Sequence, residues 1–492
     1  KIYTLMNYFK LSFLLSLSLF FLLTSCFDDN DDVLIPSSNT EIGDFVWKGL
    51  NAFYLYKDDV SDLSDTRFET QGDLNNYIAS FSSPDTLFEN LIYDRPVTDK
   101  FSWIVDDYEA LEDSFAGVSK KNGMSFGFFV NPDDNDNNAY GYVRYVLPNS
   151  SASSNGIERG VIFTSVNGTQ ITYDSVTGRI NSGIVSSLNE DNYSIDLATY
   201  DGITIVNTGE VVILNKEVLT ENPILHSEIL EVNAIKIGYL VYNSFTADFD
   251  DELNTVFADF KSNGVTELVL DFRYNPGGSV YSAITLSSLV TGQFNGEVFS
   301  TEQWNSGIQN ALEQNNPDQL ENRFINETRN GQLLNSLNLN RVYVITTGRS
   351  ASASELVING LNPYIDVVQI GTSTTGKFQA SITLYDSDDF NKTGANPNHK
   401  YAMQPLVLKS LNSVGFTDYF NGFTPDTSLE LSEDFSNLGV LGSETEPLLS
   451  LAIFDITSDG RFANKSEKTK INNRKVIDYL NSPFENTMYI ED

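Results

Sequence analysis

The chain has 492 residues, of which 40% are hydrophobic and 20% charged, the balance of an ordinary folded protein. That length suggests about three domains. Its formal net charge of −37 is spread along the sequence and argues against nucleic acid as a partner, which would need a basic stripe. A single cysteine rules out a disulfide framework or a Cys-based zinc site within one chain, and two histidines leave hydrolytic chemistry to another base.

At the amino-terminal end, Lys10 precedes an apolar run over residues 11–23. The run is too short to span a membrane and fits the core of a signal peptide. It ends Leu23-Thr24-Ser25-Cys26, which resembles a bacterial lipobox and makes Cys26 the expected lipidation site. The acidic stretch that follows, Asp28-Asp29-Asn30-Asp31-Asp32, reads as a tether and resembles the surface-export signal of Bacteroidetes lipoproteins. A lipid anchor in the cell envelope, on an outer-membrane lipoprotein, is the expectation. Residues 41–118 follow with two helix-spaced apolar sets, Phe45, Val46, Leu50, Phe53, Tyr54 and then Tyr108, Leu111, Phe115. A small helical bundle without chemistry is expected there.

Residues 123–216 carry short alternating segments. Met124-Ser125-Phe126-Gly127-Phe128-Phe129 opens them, Tyr142–Val146 alternates as a strand, and Val166-Asn167-Gly168 ends a strand in a hairpin turn. This order resembles a PDZ domain. The resemblance implies a peptide added as an extra strand with its carboxylate held by the Phe126, Gly127 and Phe128 loop. Asn131–Asn138 lacks the glycine and terminal glutamate of a calcium loop and reads as a solvated tip.

Residues 225–453 read as repeated strand–helix units. Ile235–Tyr242 is a strand, and Leu253, Val256, Phe257 and Phe260 share one helix face. Leu268–Phe272 is a nearly continuous apolar strand, as in a sheet covered on both faces. It stops at Arg273-Tyr274-Asn275-Pro276-Gly277-Gly278 before a helical pattern from Val280 to Leu289. The same strand–turn–helix order recurs at Val342–Leu361, with Thr347-Gly348-Arg349-Ser350-Ala351-Ser352 in the turn. Glycines let backbone amides approach a ligand, and a helix start aims amides at negative charge. Gly277 or Gly278 with Ala353 could therefore supply an oxyanion site. On chemistry alone Ser350, Ser352 and Ser354 are all candidate nucleophiles. A buried Lys377 could serve as base, since burial lowers a lysine pKa by up to about 3–5 units.

Three pieces together, Leu268–Gly278, Ser350-Ala351-Ser352-Ala353-Ser354-Glu355 and Gly376-Lys377, resemble the C-terminal processing peptidase, or tail-specific protease, family. The resemblance runs from about residue 41 to 453. It implies a crotonase-like or Clp-protease-like α/β core with an inserted or preceding PDZ domain and an N-terminal helical segment. It also implies a serine endopeptidase that cleaves protein or peptide substrates near their C-termini, without cofactor or metal. In the family the central serine is the nucleophile and the lysine follows 25 residues later, which selects Ser352 and Lys377 here. Many members place a glutamine four residues after the lysine. Ser381 stands there instead, with Gln379 two residues on; Lys377 is expected to be strand-borne, so both would face the same way as it does and either is a candidate lysine orienter.

The domains expected are a signal peptide over 1–25, a tether over 26–40, a helical domain over 41–120, a PDZ domain over 121–218, the peptidase core over 219–455 and an appendage over 456–492. Gly371–Lys377 also matches the first seven positions of a phosphate-binding loop. Phe378 stands where a metal-binding hydroxyl belongs, and the alternation of Phe378, Ala380, Ile382 and Leu384 calls for a strand rather than a helix. A lipoprotein that binds peptides without cleaving them is the other alternative, supported only by Ser381. His226 and His399 are expected to be structural.

Overall fold

The computed structural model describes residues 38–131, 136–458, 476–477 and 488–490. The signal-like run, Cys26 and the acidic tether lie outside the described residues, as does most of the appendage. Among the described residues no helix is long and apolar enough to cross a membrane.

The first helix, Asn39–Phe53, starts where the sequence supplies a capping box. Glu41 N–H donates to Ser38 Oγ at 3.2 Å and Ser38 N–H to Glu41 Oε2 at 2.7 Å. Thr70 with Asp73 starts Gln71–Ile78, and Ser83 with Pro84 starts Pro84–Leu91. Their apolar faces meet around Val46, Leu50, Leu74, Leu87 and Phe88. The three helices do not close this cluster by themselves. Strand Trp103–Val105 pairs antiparallel with Ala402–Gln404, and Leu384 and Met403 complete the cluster. Helices of eight residues carry one apolar stripe each and enclose little core by themselves, so distant strands close it.

Strands Val118–Lys121 and Glu217–Thr220 pair antiparallel and bring the two ends of the next unit together. Between them an antiparallel sheet runs in the order Met124–Phe129, Tyr140–Val146, Ile162–Val166, Asn192–Tyr200, Ile205–Asn215. The expected hairpin turn is present, with positive φ at both Asn167 and Gly168. Phe126, Gly127 and Phe128 lie within a strand rather than in a loop, opposite Val143, Tyr142 and Gly141. Alternation buries Phe128 in the unit's core and packs the half-buried Phe126 against it.

The core sheet has the order Ile224–Val232, Ile235–Tyr242, Glu267–Asp271, Arg341–Thr346, Asp366–Gly371. Its first pair is antiparallel and the others parallel. Leu240, Leu268, Leu270, Val342 and Val344 face helices Asp250–Ser262, Val280–Thr291 and Ala353–Leu361. Tyr239, Val241, Val269, Tyr343 and Ile345 face helix Pro447–Thr457. Both faces are covered, which is why these strands read as unbroken apolar runs. A second sheet runs Gly278–Ser279, Met488–Tyr489, Gln379–Ser381, Leu406–Asn412, Val298–Trp304, Glu321–Arg323. The result is an α/β fold of mixed sheets and helices. Two strand-to-helix turns, at 272–279 and 347–353, lie at the same end of neighbouring parallel strands.

Candidate active site

The two turns are stitched together by the small hydroxyl residues of the second. Ser350 Oγ donates to Phe272 O at 2.7 Å, Ser354 Oγ to Asn275 O at 3.0 Å, and Ala351 N–H to Asn275 O at 3.1 Å. Thr347 Oγ1 donates to Arg273 O. Two of the three candidate serines therefore serve the backbone of the glycine turn. Ser352 does not. It is fully buried, and its Oγ has no hydrogen-bond partner among the described residues. It also sits at φ +65°, ψ −115°, a conformation that non-glycine residues rarely adopt and that strains the backbone by about 1–3 kcal/mol. The turn thus holds one unengaged hydroxyl at the amino-terminal end of helix Ala353–Leu361, where the first amides have no partner within the helix.

The first turn is rigid for a different reason. Asn275 Nδ2 donates to Tyr242 O at 2.8 Å while its Oδ1 accepts from Gly277 N–H at 2.9 Å. Gly278 has φ +137°, and a Cβ there would lie 2.3 Å from Phe245 O, so glycine alone fits. Phe245 N–H donates to Gly277 O at 2.9 Å, and Ser279 N–H donates to Phe245 O at 2.8 Å. Strand alternation then turns the N–H and C=O of Gly278 to the opposite edge. Behind the turn Asp271 and Arg273 brace it. Buried Arg273 pairs with Asp271 at 2.7 Å and Glu446 at 2.6 Å.

Glu355 joins the serine to the lysine. Its fully buried carboxylate accepts Ser352 N–H at 2.8 Å and Lys377 N–H at 2.8 Å on the same oxygen. The two backbone nitrogens are therefore no further apart than twice that distance. The other oxygen accepts Gly376 N–H and Thr374 Oγ1, each at 2.6 Å. Burial raises the Glu355 pKa to about 7 against the pull of these donors. Lys377 is 2% exposed, and burial lowers its pKa to about 7 while the charges of Asp99 and Glu355 oppose the shift. The Lys377 Nζ stands 5.1 Å from the centre of the Phe101 ring.

Lys377 is not strand-borne, contrary to expectation. It lies two residues before strand Gln379–Ser381. The preceding stretch is fixed by Glu355 and by Thr375 N–H donating to Ser350 O at 3.0 Å. The element directly after the lysine is the strand Gln379–Ser381, where a phosphate loop needs a helix, so that alternative fails on structure. Of the two candidate orienters, Ser381 is engaged elsewhere, donating to Gln404 Oε1 at 2.5 Å. Gln379 Nε2 donates to Tyr56 Oη at 3.0 Å, and its buried Oε1 has no hydrogen-bond partner among the described residues. His226 contacts Glu228 at 3.1 Å and His399 contacts Asp386 at 2.8 Å.

Sequence reasoning missed three contributors. Asp99 is fully buried and accepts Tyr54 Oη at 2.7 Å, Ser102 Oγ at 2.5 Å and Ser102 N–H at 2.8 Å. Its charge acts on Lys377. Phe101 walls the lysine, and Tyr56 holds Gln379. All three come from the segment expected to carry no chemistry. Glu355 was in view within the serine motif, but as a first-turn acid it carried no signal for a second strand.

Residues 236–395 match the model of peptidase family S41, and residues 41–103 match the peptidase S41 N-terminal domain. An S41 protease structure from Bacteroides fragilis superposes with a TM-score of 0.65 at 25% identity, covering 85% of this chain and 98% of that one. A carboxyl-terminal-processing protease of Picosynechococcus sp. is 23% identical over 42% of this chain and 49% of its own length. A carboxy-terminal-processing protease of Bartonella bacilliformis is 29% identical over 30% of this chain and 32% of its own length. The chain thus spans about half or less of these curated relatives. Over residues 41–103 and 236–395, and in its fold, the chain is thus similar to peptidase family S41.

Proposed function

We propose that the protein is a serine endopeptidase working through a Ser352–Lys377 dyad. The observation that carries the reading is the unengaged, strained Ser352 hydroxyl, tied through one Glu355 oxygen to a buried lysine with a pKa of about 7. Neutral Lys377 Nζ takes the Ser352 Oγ proton as Oγ bonds to the scissile carbonyl carbon. The oxyanion formed accepts the amides of Ala353 and Gly278. Gly277 is set aside because its N–H already serves Asn275. Collapse breaks the C–N bond, and the lysine returns its proton to the leaving amine. Water, deprotonated by the same lysine, then hydrolyses the acyl-enzyme. Gln379 Oε1 is the better orienter for Lys377 Nζ, since the Ser381 hydroxyl is committed to Gln404.

The substrates are proteins or peptides cut near their C-termini, delivered by the sheet unit over 122–215 acting as a PDZ domain. Lipidation at Cys26 would hold the enzyme in the cell envelope. The test is mass spectrometry of an unstructured peptide with an apolar carboxyl terminus, incubated with wild type and with Ser352→Ala. Products near the carboxyl terminus from wild type alone are expected. Equal amounts of uncut peptide in both would sink the reading.

A further inference from the structure

The strand Met488–Tyr489 lies between the glycine turn and the strand after the lysine. It runs parallel to Gly278–Ser279, with Gly278 opposite Met488, and parallel to Gln379–Ser381, with Ser381 opposite Tyr489. Phe245 already takes one edge of the glycine strand, through Gly277 O and Ser279 N–H. The remaining edge, to which the Gly278 N–H and C=O turn, is the one Met488–Tyr489 covers. On its other side the segment is held by Ile490 N–H donating to Ser381 O at 3.1 Å. The Tyr489 ring stacks on Phe115 with centroids 4.0 Å apart and planes 19° apart, and Met488 is fully buried. A substrate backbone that brings its carbonyl to the Gly278 amide must lie along this same edge.

A second observation points the same way. Val476–Ile477 pair antiparallel with Phe129 and Phe128 on the outer edge of strand Met124–Phe129. That is the strand in which the sequence placed peptide recognition. The two edges at which an added strand would be read are thus both covered by one late stretch of this chain.

We infer that the slot between Gly278–Ser279 and Gln379–Ser381 is the backbone-recognition site for an extended substrate segment with an aromatic side chain against Phe115, and that residues 488–490 occupy it as an internal competitor. The inference rests on the peptidase reading for what the slot serves. It says that this protein is self-restrained: substrate enters by displacing its own strand. A tethered competitor acts at an effective concentration in the millimolar range, so a short, weakly held strand suffices.

The test uses the full chain with Tyr489→Gly and Ile490→Pro combined, which removes the ring stack and a backbone donor without touching Ser352, Lys377 or Gly278. Cleavage of a labelled unstructured peptide is expected to show KM lowered by about threefold or more with kcat not reduced, as loss of a tethered competitor requires. A synthetic peptide of residues 484–492 is expected to inhibit that variant competitively. In a Ser352→Ala background, where no cleavage enters, the same pair of changes should tighten labelled-peptide binding by a similar factor. An unchanged or raised KM, unchanged binding, or a variant that loses folded structure together with activity would show a structural strand and overturn the proposal. Equal peptide survival with wild type and Ser352→Ala would instead overturn the peptidase reading, leaving the binding comparison to judge the slot.

Discussion

Three serines lie within five residues at the second turn, and their hydroxyls have different fates. Ser350 and Ser354 donate to carbonyls of the glycine turn, and Ser352 is left unengaged. The choice that spacing alone made in the sequence therefore has an independent physical basis. Lys377 adds a pH dependence. Its pKa, lowered to about 7, predicts that kcat/KM rises with pH through a midpoint near 7, measured with a peptide substrate, and that no histidine is needed. The stability effect has its own sign. The folded-state value lies below that of the unfolded chain, so between about 7 and 10.4 the unfolded chain binds more protons and stability rises with pH. Below that window burial of the charged ammonium is fully unfavourable. Lys377→Met is accordingly expected to abolish cleavage while raising the thermal midpoint at neutral pH, by a few degrees for on the order of 1 kcal/mol. The gain should shrink toward pH 10. Calorimetry at the two pH values checks it. Gly278→Ala should also lower activity but with the opposite effect on stability: its Cβ meets Phe245 O and its φ is +137°, so stability falls by more than about 1 kcal/mol.

Among the elements, the strands and helices of the core were legible because their side chains follow the periods of 2 and 3.6 that burial imposes. Helix Ala353–Leu361 begins and ends where the apolar set and the serine turn place it. The glycine turn was legible because few residues tolerate its φ values. What was not legible is which distant element walls the lysine. Asp99, Phe101 and Tyr56 lie more than 270 residues before Lys377, and no local pattern says which face an aromatic or acid far away will meet. The strand expected to carry Lys377 also failed, because the extended stretch before Gln379 is held by the Glu355 carboxylate instead of by a ladder. The helical segment therefore has a testable role. Asp99 holds the lysine pKa up against burial, so Asp99→Asn, close in shape, should move the rising limb of the pH–rate profile to lower pH. A limb that stays in place, with the fold intact by circular dichroism, would remove Asp99 from the dyad's electrostatics.

Across the whole molecule, the sheet unit and the core share one buried charge cluster behind the glycine turn. Arg159, from the sheet unit, pairs with Glu433 at 2.9 Å and donates to Tyr274 Oη at 2.6 Å and Arg144 O at 2.7 Å. Tyr274 Oη donates to Glu433 at 2.6 Å, and Glu433 meets Arg273 at 3.3 Å. Arg273 in turn reaches Glu446, which caps helix Pro447–Thr457 through Leu449 N–H at 2.8 Å. The two arginines hold the Glu433 carboxyl below its ordinary pKa although burial works against them. Removing one partner of such a cluster leaves the rest buried with less compensation, at about 3–5 kcal/mol for an isolated pair. Glu433 keeps Arg273 and Tyr274, so Arg159→Met should cost less, about 2 kcal/mol by urea denaturation. Because Tyr274 belongs to the glycine turn, the loss should not stay local. Amide exchange across residues 273–278 is expected to quicken, and kcat should fall more than KM changes, since the turn presents a donor needed only as negative charge develops. Exchange confined to residues 144–160, with kcat unchanged, would show that the cluster holds the two units together without setting the turn.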